Sequence, residues 1–349
     1  MALAFLVPGR LDQLTGGYLY DRHIIEGLRA RGQAVNVVEL AGRYPQADEP
    51  TRTLAAAALA RLPDQSTVII DGLALPGLAD CLKDQASRLK LVGLIHHPLS
   101  LETGLDFANA RHYAQLEAEL WPCLKGAICP SEHTAQALLA AGLPTDRVAV
   151  VTPGTRRPAT IRQAKSAGPV QLLAVGSITP RKGHLLLVEA LAQLRHLEWQ
   201  LTCIGSVTRD PAASAALQGR MATHGLTDRI VLLGEQPDQR LTQAYQGADI
   251  FVLPSYHEGY GMVFAEALAH ALPVIATTAC AIAATLPAGT SLLVAPGDLP
   301  ALKDALQQAL TDDALRARLS NAAKEAANAL PDWDSAVQGW VAALHKVTR

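Results

Sequence analysis

Short apolar runs of strand length, each followed by a stretch of helical spacing, recur along the whole chain and constrain its fold more than any other feature. In the first half they occupy residues 3–7, 35–40, 67–70, 89–95, 127–129 and 148–151. A strand that is apolar at every position is covered on both faces, and strands joined through helices return as parallel neighbours. The rhythm resumes at residues 170–175 and continues through 199–204, 230–233 and 249–253, with 292–298 as a last strand and turn. The fold class expected is α/β, with a parallel sheet covered on both faces. At 349 residues the chain is long enough for two domains, each with its own core. Residues 148–154 close the first, and the polar, proline-containing segment 155–169 reads as the crossing. The domains expected are 1–155 and 156–330, followed by a final helix in 331–349.

Charge excludes several partners. The chain carries 30 Lys+Arg against 32 Asp+Glu. Divided at Pro153, it has 13 basic and 16 acidic residues before the cut and 17 and 16 after it. Neither half is basic enough to advertise nucleic acid or an anionic membrane surface. Cys81, Cys123, Cys129, Cys203 and Cys280 form no CxxC pair, and their scatter suggests buried thiols in a reducing compartment rather than metal ligands. Residues 1–8 lack the basic start and long apolar middle of a signal peptide, and no run approaches the length that spans a bilayer. A cytoplasmic location is expected, with peripheral membrane contact left open.

Residues 254–266 are the stretch around which a site can be built. Pro254 ends an apolar strand, a loop with two glycines follows, and a helix is expected over 262–271. Glu258 lies in the loop and Glu266 about one and a half turns into the helix, so two carboxylates line one mouth at different depths. Neither position looks like core. Ligands of open parallel sheets lie beyond the carboxyl ends of the strands, where helix N-termini favour phosphate. After strand 170–175 come Arg181 and Lys182, two cations beside a helix start that can neutralise a diphosphate. After the first strand, Gly16 and Gly17 open a helix, and His96-His97 follow strand 89–95. Ser131 is read as a helix N-cap.

Glu258-x7-Glu266 within Pro-Ser-x-x-Glu-Gly-x-Gly, then Glu-Ala-Leu-Ala and Pro273-Val-Ile-Ala, resembles the signature of family-four retaining glycosyltransferases. That resemblance implies two Rossmann-like parallel-sheet domains facing across a cleft, the GT-B fold, with the last helix crossing back onto the first domain. It implies a hexosyl transfer from a nucleoside diphosphate sugar to a small-molecule, glycan or lipid-linked acceptor held by the first domain. No cofactor or metal is implied beyond the donor itself. By the same resemblance Arg181 and Lys182 hold the diphosphate, Glu258 the transferred sugar and Glu266 the ribose. His96 orients the sugar, Gly16 and Gly17 border the phosphate, and Gly205 lies near the base. Gly259, Gly261, Met262 and Val263 complete the donor loop. The chain departs from the family at Ser177, where many relatives have arginine, at Ala271, where glycine is common, and over 279–284, which replaces a glycine-rich segment.

Rival readings stay open within this fold: an epimerase, a phosphorylase, or a catalytically silent sugar-nucleotide binding protein. A nicotinamide oxidoreductase and a nucleotide-hydrolysing motor are disfavoured, because neither Gly-x-Gly-x-x-Gly after a first strand nor GxxxxGK[ST] is present.

Overall fold

The computed structural model describes residues 3–161 and 168–349. Residues 1–2 of the apolar start and 162–167 of the crossing segment lie outside the described residues. The chain divides into two compact units, Met1–Gly154 with Trp333–Arg349, and Thr155–Asp332.

The first unit carries β1 (Leu3–Pro8), β2 (Val35–Leu40), β3 (Thr67–Asp71), β4 (Lys90–Leu94), β5 (Gly126–Cys129) and β6 (Val148–Val150). They form one sheet in the order β2-β1-β3-β4-β5-β6, and every pairing is parallel. β1, β3 and β5 are buried along their whole length, which is why each reads as an unbroken apolar run. The helix Trp333–Val347 belongs to this unit. It buries Val337 and Trp340, sets the Trp340 ring 5.4 Å from that of Phe5, and meets the helix Gly16–Ala30 at Gly27. A β-carbon added at Gly27 would stand 2.4 Å from the Val337 side chain, so the two helices approach only because that position is bare.

The second unit carries β7 (Val170–Val175), β8 (Trp199–Ile204), β9 (Ile230–Leu232), β10 (Ile250–Leu253), β11 (Val274–Thr277) and β12 (Ser291–Val294). Their order, β12-β11-β10-β7-β8-β9, is again wholly parallel. Its core is built from β7, β8, β10 and β11 with Leu187, Leu191, Phe264 and Leu268 from the helices that cover them.

Each order contains one place where the connections reverse direction. In the first unit β1 has β2 on one side and β3 on the other; in the second β7 stands between β8 and β10. Loops leaving two such strands diverge to opposite faces and open a crevice at the carboxyl edge, the preferred ligand position in open parallel sheets. The fold thus nominates the loops after β1 and β3, and those after β7 and β10.

Among the described residues no helix is long and apolar enough to cross a membrane. All five cysteines are free; Cys129 and Cys203 are buried, but Cys81, Cys123 and Cys280 are only half-buried, a correction to the expectation of uniformly buried thiols. Ala271 and Cys280 adopt φ of +56° and +50°, so two of the departures from a glycine-rich pattern fall on left-handed backbone.

Candidate functional site

The loop after β7 and the loop after β10 are joined by two hydrogen bonds. Tyr256 N donates to Arg181 O at 2.8 Å, and Arg181 Nη1 donates to His257 O at 2.8 Å. Their approach is possible because residue 183 has no side chain: a β-carbon there would lie 2.1 Å from the Pro254 carbonyl oxygen, and its φ of +72° disfavours any other residue. Gly183→Ala should therefore destabilise the second unit by roughly 2–4 kcal/mol, combining left-handed strain with overpacking. A urea midpoint equal to that of the wild type would refute this account of the two loops.

On this frame Glu258 meets both cations. Lys182 Nζ lies 2.6 Å from Glu258 Oε1, Arg181 Nη1 lies 3.3 Å from Oε2, and Ser255 Oγ donates to Oε1 at 2.8 Å. Ser255 is held in turn by Thr277 Oγ1, which donates to its carbonyl at 2.6 Å. The expectation that Glu258 is not a core position is corrected, since the residue is 5% exposed. Burial pushes its carboxyl up, but the Lys182 and Arg181 charges outweigh burial and hold it down at about 2. The carboxylate is ionised beside the two cations.

The structure brings Arg181, Lys182 and Glu258 together, whereas Glu266 has a separate set of contacts. Glu266 projects from the helix Met262–Ala269 and accepts from Tyr245 Oη at 2.7 Å. Tyr245 is fully buried and stacks on His270, ring centroids 4.7 Å apart, so its hydroxyl is rigidly aimed. Burial pushes the Glu266 carboxyl up to about 7 despite the Tyr245 hydrogen bond. Gly261 is the N-cap of this helix; Gly259, Met262 and Val263 are half-buried around its start. Gly205 packs against the backbone of the neighbouring loop, where a β-carbon would stand 2.2 Å from Gly176 O.

In the first unit His96 leaves the carboxyl end of β4. Its Nε2 lies 3.1 Å from Asp21 Oδ1 and 3.9 Å from Asp71 Oδ2. Asp21 comes from the helix Gly16–Ala30 that follows β1, and Asp71 ends β3, so both switch-point strands contribute. Gly17 faces the imidazole, where a β-carbon would stand 3.1 Å from it, and Gly16 faces open space. His97 Nε2 pairs with Glu102 at 2.9 Å. Ser131 Oγ accepts from Thr134 N at 3.1 Å, the capping bond expected of it.

Asp21, Asp71 and Tyr245 were not singled out in the sequence. Asp21 did carry a signal: it shares a helical stripe with Ile24, Ile25 and Leu28, all buried, where an acid has no solvation reason to be.

Residues 157–326 match the family described as Glycosyl transferases group 1. A D-inositol 3-phosphate glycosyltransferase from Corynebacterium efficiens is 34% identical over 190 residues, 51% of this chain and 44% of that protein. The chain spans about half the length of the curated relatives it matches. A sucrose-phosphate synthase from Thermosynechococcus elongatus superposes with a TM-score of 0.83 at 21% identity, over 99% of this chain and 98% of that one. Anabaena HepE, solved in complex with UDP and glucose, superposes with a TM-score of 0.76 at 18% identity, over 99% of each chain. These likenesses align residues 157–326 with group 1 glycosyl transferases and give the whole chain the two-domain α/β fold called GT-B.

Proposed function

We propose that this protein is a retaining glycosyltransferase that moves a hexose from a nucleoside diphosphate sugar, held by the second unit, to an acceptor bound by the first. The observation that carries the reading is the meeting of Arg181, Lys182 and Glu258 where β7 and β10 adjoin, since a paired acid and two cations suit a ligand with sugar hydroxyls beside a diphosphate. The match of residues 157–326 to group 1 glycosyl transferases supports the same conclusion.

When the bond between the anomeric carbon and the donor phosphate oxygen breaks, negative charge grows on the leaving diphosphate. Arg181 and Lys182 stabilise it, one by hydrogen bonds in a planar fork and the other as a point charge. The start of the helix Met262–Ala269 adds backbone N–H groups of the same sign. Glu258 accepts hydrogen bonds from the transferred sugar, and Glu266 accepts from the ribose. The acceptor oxygen bonds to the anomeric carbon on the face the phosphate leaves, and its proton passes to the leaving phosphate oxygen, so configuration is retained without a protein base. His96 orients the sugar. The first domain takes a small-molecule, glycan or lipid-linked acceptor, and its loop at residues 99–107 shapes that choice. The protein acts in the cytoplasm or at its membrane face.

A panel of uridine, guanosine and adenosine diphosphate sugars tests the reading, beginning with uridine because HepE was solved with UDP. One nucleotide class is expected to stabilise the protein by about 2.7 kcal/mol when present at a hundred times its Kd. The matching donor sugar should then be released slowly to water and faster to acceptor, with the anomeric configuration unchanged by NMR. Stabilisation without release from any donor would leave a silent binding protein, and an inverted product would remove the retaining assignment.

A further inference from the structure

The first unit holds two acids that the transfer chemistry above does not use. Asp21 is fully buried, and its Oδ2 has no hydrogen-bond donor among the described residues. A bare carboxylate oxygen in that setting is costly unless a neighbour carries a proton to it. Asp71, 3% exposed, is the neighbour: it offers a carboxylate oxygen within 4.8 Å of one from Asp21, its Oδ1 accepts from Leu73 N at 2.7 Å and its Oδ2 stands 3.9 Å from His96 Nε2.

We infer that Asp21 and Asp71 act as positioning residues for His96, fixing Nε2 toward Asp21 and leaving Nδ1 to meet the ligand. The inference rests on the transferase reading for what that ligand is. Gly17 lies against the ring, Tyr20 meets it edge-on at 5.6 Å and 85°, and Nε2 is taken by Asp21. Nδ1 has no partner among the described residues, and 21% of the side chain is exposed.

Two acids this close and this buried do not both ionise readily. Burial, with the Asp21 charge added, pushes Asp71 up to about 7. Burial pulls His96 down, but the Asp21 carboxylate outweighs it and the net direction is up. Among the described residues the charged groups acting on His96 are Asp21 from the helix Gly16–Ala30 and Asp71 from β3. Tyr20 on the same helix and Cys129 on β5 stay neutral, both raised by burial, Cys129 to about 12. Across the neutral range the cluster therefore changes charge through His96 and Asp71. As pH rises through about 7 Asp71 takes on negative charge beside the ligand.

The test is a histidine-label NMR titration of the intact protein, with His96 assigned through His96→Gln, run beside kcat and KM against pH. In the wild type the His96 midpoint is expected above 6.5, with a second inflection near 7. Asp21→Asn should move the midpoint below 6.5 and lower kcat by roughly tenfold with little change in KM, a loss of transition-state rather than ground-state interaction. Asp21→Glu, which keeps the charge, should restore the high midpoint. Asp71→Asn should erase the second inflection. A His96 midpoint equal in wild type and Asp21→Asn overturns the inference. Should Asp21→Asn not fold, an inflection near 7 that survives in Asp71→Asn overturns it alone. Absence of turnover with every donor would fail the transferase reading while leaving the titration to decide the cluster.

Discussion

Replacing both Arg181 and Lys182 with alanine is expected to lower kcat by roughly 10²–10³-fold, the cost of losing donors aimed at charge that grows in the transition state. Nucleoside diphosphate affinity should fall less, because the free nucleotide already carries its charge when it binds. The same change strips Glu258 of the charges that hold its carboxyl near 2 against an unfolded value of about 4.5. A carboxylate whose folded value is depressed adds stability that is fully present above 4.5 and is lost as pH falls through 2. At neutral pH that contribution is about 3 kcal/mol, and the double variant should forfeit most of it. Adding Glu258→Gln separates the two effects, since stability should return while turnover stays low. Wild-type turnover in the double variant would eliminate the clamp, and an unchanged urea midpoint would eliminate the ion-pair account of Glu258.

That pairing shows where local sequence stops being informative. Strand positions could be read because strands covered on both faces are apolar throughout, as β10 is, and β7 and β8 fall where the remaining apolar positions cluster. The loops after β7 and β10 were legible for a different reason: proline and glycine punctuate them and charges follow. What the pattern does not contain is the order of strands. Lys182 and Glu258 are 76 residues apart and touch only because β7 and β10 are neighbours. Read one loop at a time, Glu258 looked like a carboxylate outside the core, whereas the adjacent cations allow it to be buried. Asp71 closes β3 one residue past the apolar run 67–70 and so lies outside that run's signal. Both misses have one physical origin: an acid buried beside a partner contributed by a distant part of the chain gives no periodic signal in its own segment.

Glu266→Gln is expected to move stability and binding in opposite directions. Burial holds this carboxyl at about 7, above its unfolded value of 4.5, with Tyr245 Oη at 2.7 Å as its hydrogen-bond donor. A raised carboxyl contributes stability that is fully present below 4.5 and is lost as pH rises through 7, so the ionised form is a burden at pH 8. The residue is half-buried, and solvent screening brings that burden to about 2 kcal/mol. Glutamine keeps an acceptor for Tyr245 and removes the charge, so thermal unfolding at pH 8 should move to higher temperature while unfolding at pH 4 barely changes. Nucleoside diphosphate affinity at pH 8 should weaken by roughly 10–100-fold, the value of a charged acceptor for the ribose hydroxyls. In the wild type, affinity should decline as pH falls below 7 and Glu266 takes up a proton. Calorimetry at pH 8 and pH 6 with one nucleotide resolves the two halves. A stability gain with undiminished affinity would make Glu266 a buried acid of its helix and move ribose recognition to another residue; an affinity loss without the gain would mean that water, not protein, surrounds the carboxyl.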